Sequence, residues 1–229
     1  MQPAALKIGV LAAGVVAATL SLYPQSTPAQ DAGSAEPQAI PPRATPGDYQ
    51  AHAQVGAVTI AAEFVGHFLP TSQGTLTTEE YVAVETCFFG GPEARMKLSA
   101  GDFSLRINGK KTPLSSESYS LVARSVKDPD WEPPKPPKSK SNTIINGSGD
   151  DEAAVQRGPK PTPTPVRIPI EVQRAWARRV QKASLAEGDR ILPQAGLIFF
   201  PYRGKSKDIY SIELIYNGAA GQAALALQP

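Results

Sequence analysis

Two histidines, one cysteine and a scatter of carboxylates are what this 229-residue chain offers for catalysis or metal binding. His52, His67 and Cys87 fall short of the three or four nitrogen and sulfur ligands of a zinc or transition-metal site, so no metal and no other cofactor is expected. His67 reads as a polar residue at a strand end, and no G-x-S-x-G elbow accompanies either histidine. Gly204-Lys205-Ser206 has the close of a phosphate-binding loop, but Phe199 stands five residues earlier, where the opening glycine belongs. The acidic strings DPDWE and SGDDE invite a calcium reading. Counting from Asp128, Pro133 and Ser139 occupy the places of the required glycine and bidentate glutamate. Asp150, Asp151 and Glu152 leave room for a looser surface calcium site, against the ordinary solvation of loop carboxylates. An acid–base pair would need a cleft joining Glu63 or Glu85 to Asp102 or Glu213.

The segment DPDWEPPKPPKSK, Asp128 to Lys140, carries a different kind of signal. Pro133-Pro134-Lys135-Pro136-Pro137-Lys138 satisfies P-x-x-P-x-K, a left-handed proline helix that aromatic grooves can read. Trp131 at its head has a plainer use, docking on the domain's flank with its N–H on a carbonyl and fixing where the loop departs. The second use is favoured.

The chain opens with Lys7, an uncharged run from Ile8 to Leu22, and small residues around Ala29. Residues 1–29 read as a cleaved secretory signal, the alternative being an uncleaved inner-membrane anchor. With Cys87 alone, no disulfide forms and no lipidated cysteine stands at the cleavage site. Residues 30–54 hold four prolines and few large apolar side chains, and read as a disordered linker.

From residue 55 the apolar pattern has period two. Val58, Ile60, Ala62 and Phe64 alternate with Thr59, Ala61 and Glu63. Val82, Val84 and Phe88 alternate with Tyr81, Ala83, Glu85 and Cys87. Phe103, Leu105 and Ile107 alternate with Ser104 and Arg106, before the turn Asn108-Gly109. SYSLVAR, 118–124, is a fourth candidate strand with Tyr119, Leu121 and Ala123 on one face. AGLIFFPY, 195–202, is apolar on both faces and so expected at the centre of a sheet. IYSIELIY, 209–216, the turn 217–221 and QAALALQ complete seven strands. One helix is predicted over 169–187, with Pro169 at its start, Gly188 as its stop and a buried stripe of Val172, Trp176, Val180 and Ala183. Arg174, Arg178, Arg179 and Lys182 lie on its other faces, read as solvated rather than as a surface for phosphate or anionic lipid. Residues 127–167 form a long proline-rich insertion. Seven strands without alternating helices predict a mainly β, antiparallel sandwich over 55–228.

The segments VTIAAEF, DFSLRINGKK, AGLIFFPY and IYSIELIY resemble the immunoglobulin-like domains that follow signal peptides in bacterial envelope lipoproteins and secreted proteins of unassigned function. The likeness covers 55–125 and 190–228. It implies an immunoglobulin-like sandwich in an extracytoplasmic compartment and carries over no catalytic residue. The chain departs from the lipoprotein members in lacking their cysteine.

The formal net charge of +2 falls to +1 once Lys7 leaves with the signal, so neither nucleic acid nor an anionic membrane is favoured by long-range attraction. These features together lead to an exported, periplasmic or secreted, non-catalytic module that binds an envelope protein or polymer through its loops. Trp131, Tyr202 and Arg203 are its candidate contacts. A structural or assembly component of the envelope is the alternative, and a carboxylate-based hydrolase the third choice.

Overall fold

The computed structural model describes residues 40–134 and 167–229. The expected signal 1–29, residues 30–39 of the expected linker, the proline motif beyond Pro134, and Asp150, Asp151 and Glu152 lie outside them. The strands in chain order are β1 (Ala51–Val55), β2 (Val58–Gly66), β3 (Phe68–Thr71), β4 (Gly74–Thr78), β5 (Tyr81–Phe89), β6 (Arg95–Leu98), β7 (Phe103–Ile107) and β8 (Leu114–Ser115). After the one-turn helix α1 (Tyr119–Val122) come β9 (Val126–Lys127), helix α2 (Ile170–Ala183), β10 (Gly188–Ile191), β11 (Gln194–Pro201), β12 (Ile212–Gly218) and β13 (Gly221–Leu227).

Two four-stranded antiparallel sheets make a sandwich, one ordered β1-β2-β5-β11 and the other β13-β12-β7-β8. Strand alternation explains what lies between them. Val58, Ile60, Val82, Val84, Phe88, Ile198 and Phe200 from the first sheet meet Phe103, Leu105, Ile107, Leu214, Tyr216 and Leu225 from the second. At the centre, Phe88 stands edge-on to Phe103 and Tyr216, with ring centroids 5.8 and 5.9 Å away.

The first sheet is also buried on its other face, so the fold has a third layer. Ala61, Ala83, Cys87, Ala195, Leu197 and Phe199 pack there against Trp176, Val180 and Ala183 of α2 and against Leu69 and Leu76 of the small sheet β3-β4-β9. This is why β5 is buried at seven consecutive positions, from Val82 to Phe88. Gly196 marks the closest approach. A Cβ there would collide with the backbone of Leu185, whose N–H donates to the Leu197 carbonyl at 2.9 Å.

Several sequence expectations change. The described residues contain thirteen strand segments rather than seven: six of the seven expected strands form, β1 lies in the expected linker, and the short strands β3, β4, β6, β8, β9 and β10 carry too few residues to show a period. Residues 118–124 form α1, not a strand. Ala123 donates to the Tyr119 carbonyl at 2.9 Å, and Val122 is the residue that buries, leaving Tyr119 and Leu121 exposed. β11 is buried on both faces as expected, yet it lies at the edge of its sheet. Its outer side is closed instead by single bridges, Glu117 to Phe199 and Ser184 to Leu197.

The linker reading of 30–54 fails from Ile40 onward. Residues 40–50 lie as a strap against the third layer, with Ile40 and Tyr49 buried, and β1 pairs with β2 from Ala51. The helix ends at Ala183, five residues before Gly188, because Ser184 turns extended to bridge Leu197. The insertion begins later than residue 127, since Val126 and Lys127 pair with Thr78 and Thr77, and just past its expected end Ile168 packs on the third layer. Among the described residues no helix is long and apolar enough to cross a membrane.

Candidate functional site

Of the three candidate contacts, the structure brings two together. Tyr202 and Arg203 leave the end of β11 and line a cleft of about 400 Å³ with Ile107, Lys110, Thr112, Leu114, Pro201 and Gly204. Two loops form its walls, 108–113 after β7 and 202–208 after β11. Asn108 fastens them to each other. Its side chain donates to the Asp208 carbonyl at 2.7 Å and accepts from the Tyr210 N–H at 2.9 Å. Its left-handed backbone, with φ of 53°, followed by Gly109 at 65°, is the predicted Asn-Gly turn.

Tyr202 is held from three directions. Its N–H donates to the Glu80 carbonyl at 2.9 Å. Its ring lies 6.1 Å from that of His67 and fills the space that a side chain at Gly204 would need. His67 in turn bonds the Gly204 carbonyl through Nε2 at 2.9 Å, while Nδ1 is buried without a partner among the described residues. The expected strand-end role of His67 thus becomes the support of a loop. Arg203 is exposed and pairs at 3.3 Å with Glu80.

Trp131 is elsewhere. It packs edge-on against Trp176 over the third layer, which is the docking expected of it, although its indole N–H donates to no carbonyl among the described residues. Beside it Arg179 departs from the solvated reading. Its guanidinium is nearly buried, reaching Asp128 at 2.6 Å and Thr71 Oγ1 at 3.2 Å.

A cluster the sequence did not disclose lies under the strap. Glu63 and Glu85 face each other directly across β2 and β5. Two like charges in that relation repel, and Arg43 offsets them by reaching both carboxylates, with Nη2 3.3 Å from Glu85. The guanidinium also lies 4.5 Å from the Tyr49 ring centre. Burial raises Glu85 above the ordinary carboxylate range, pushes the Cys87 thiol up to about 11 and raises Tyr49 as well. The hydrogen bond to Glu63 raises Arg43. Thr45 to Asp48 held the clue, a T-P-G-D turn in which Asp48 accepts from the Thr45 N–H at 2.8 Å and ends the linker composition.

The acid–base constellation considered from the sequence is not assembled. Glu63 and Glu85 lie on the strap side of the first sheet, whereas Glu213 pairs with Arg106 on the outward face of the second. Both layers of the sandwich stand between them. Asp102, raised by burial, sits instead against Gly218 beside the Tyr216 ring. Among the described residues no group of three or more His, Cys, Asp or Glu gathers as metal ligands do.

No protein-family model matches this chain. Neither a curated protein nor a solved structure gives a significant match. The cleft, the strap cluster and the Trp131 contact are therefore weighed on their own chemistry.

Proposed function

We propose that this chain is a non-catalytic binding module exported to the bacterial envelope, periplasmic or secreted, built as an immunoglobulin-like sandwich. The carrying observation is the cleft in which Tyr202 and Arg203 stand beside Lys110 and Thr112 on loops fastened by Asn108. Such a mixture of aromatic, apolar and cationic side chains on supported loops suits recognition more than chemistry. The strap carboxylates are engaged with Arg43, which is what an ion network that fastens a segment requires. The immunoglobulin-like reading of the sandwich draws on the C-terminal hairpin β12–β13 pairing with β7 opposite a sheet that begins with β1 and β2.

A structural or assembly role is the second reading, favoured by the anchoring of the insertion's root through Asp128 and Trp131. The test is a crosslinked pull-down from native envelope with three proteins: the wild type, a form lacking residues 135–166, and Tyr202→Ala/Arg203→Gln. A binding module that uses the cleft captures its partner with the first two and loses it with the third. Capture that survives the double substitution and fails on the deletion moves recognition to the insertion. No specific capture by any of the three, together with no small ligand bound in the cleft, overturns the binding reading.

A further inference from the structure

The cleft carries a chemical preference, which rests on the binding-module reading. Its lining combines the apolar Ile107, Leu114 and Pro201 and the Tyr202 ring with the polar Lys110, Thr112 and Arg203. The two loops add Lys111, Lys205 and Lys207 against the single carboxylate of Asp208, an excess of cations in a chain whose net charge is only +2. Among the described residues, Lys110 has no carboxylate within ion-pair distance, and Arg203 has only the exposed Glu80 at 3.3 Å. A cleft of this size accommodates a small molecule or one end group of a larger partner, and an excess of cations around it favours a negative group.

We infer that the cleft binds a small organic anion, an apolar body bearing one carboxylate. The body lies against Tyr202 and Leu114, and the carboxylate meets Lys110 and Arg203. The site is prepared before the ligand arrives. Tyr202 packs beside His67 and Gly204, and Asn108 holds the two loops at a fixed spacing, so little ordering remains to be done on binding.

The experiment is a titration of the full-length protein, followed by amide NMR, with 3-phenylpropionate and with its neutral analogue 3-phenylpropanamide. The acid is expected to shift signals of residues 107–114 and 201–204 with saturation below about 10 mM, and the amide to bind at least about tenfold more weakly. Lys110→Gln and Arg203→Gln, both on exposed side chains, are expected to weaken the acid by several-fold without changing the melting temperature. Gly204→Ala, which drives the Tyr202 ring aside, is expected to weaken acid and amide alike. Equal binding of acid and amide, shifts confined to other residues, or no shift at all overturns the proposal. A wild type that ignores the acid yet still captures an envelope partner through Tyr202 and Arg203 would remove this ligand class alone and leave the binding-module reading standing.

Discussion

Trp131 stands edge-on to Trp176, with ring centroids 6.0 Å apart and planes at 89°. Trp176 belongs to the buried stripe of α2, whereas Trp131 sits where the chain leaves the described part of the fold, so the contact fastens the insertion's root to the third layer. Trp131→Ala is expected to cost about 1–2 kcal/mol, from the lost aromatic contact and partial burial, and to lower Tm by a few degrees. An unchanged melting curve would show that the ring fastens nothing.

Arg179 and Asp128 form the most enclosed ion pair described, with side chains 11% and 16% exposed. Removing one partner strands the other away from water. Arg179→Ala is expected to destabilise by about 3 kcal/mol, more than any exposed pair such as Lys127–Glu79 can contribute. Arg179→Lys should recover only part of this, since one ammonium cannot reach both Asp128 and Thr71 as the guanidinium does. Urea unfolding of the two variants, read at constant slope, checks both statements.

Arg43→Ala leaves Glu63 and Glu85 opposed across β2 and β5 with no cation between them, and a loss of about 1–3 kcal/mol is expected. Adding Glu63→Gln to that variant relieves the repulsion, so the double variant should be more stable than Arg43→Ala alone. If the double variant is the weaker of the two, the repulsion argument is wrong.

Glu85 gives the fold a defined pH response. Burial raises its folded value above the ordinary 4.5, so between those two values the folded state binds more protons than the unfolded chain. Its contribution is therefore complete below about pH 4.5 and is lost as pH rises through the raised value. Burial acts on Asp102 in the same direction. Glu85→Gln should flatten the decline in stability above pH 4.5, with a slope change of at most about 1.4 kcal/mol per pH unit. A stability curve measured from pH 4 to 8 for wild type and variant decides it, and identical slopes would refute the assignment to Glu85.

The longest strands were legible because a half-buried ladder writes its period into the side chains. Phe103, Leu105 and Ile107 face the core as their alternation implies, and the two faces of β5 divide as Val82, Val84 and Phe88 against Ala83 and Cys87. What was not legible depends on partners distant in sequence. β11 reads as central because both of its faces are covered, and burial of faces says nothing about which edges are bonded. SYSLVAR has strand-like alternation, yet four residues are too short for either period to decide, and the bonds from Leu121, Val122 and Ala123 back to Ser118 and Tyr119 settle it as helix. Residues 40–50 look like linker by composition. Their order comes from three side chains, Ile40, Arg43 and Tyr49, whose binding places exist only once β2 and β5 have paired. The cleft follows the same logic. Tyr202 and Arg203 were identifiable as loop-edge contacts, but Lys110 and Thr112 join them only through the Asn108 staple, about a hundred residues away in sequence.

The register of β5 against β11 joins Phe88 to Gln194 and Tyr81 to Pro201, pairs separated by 106 and 120 residues. Until β11 arrives, the apolar flank of β5 has no neighbour on that side, and the helix lacks Ala195, Leu197 and Phe199 from the surface it covers. Topologies dominated by such distant pairings search slowly, and this domain is expected to refold on the millisecond-to-second scale rather than in microseconds.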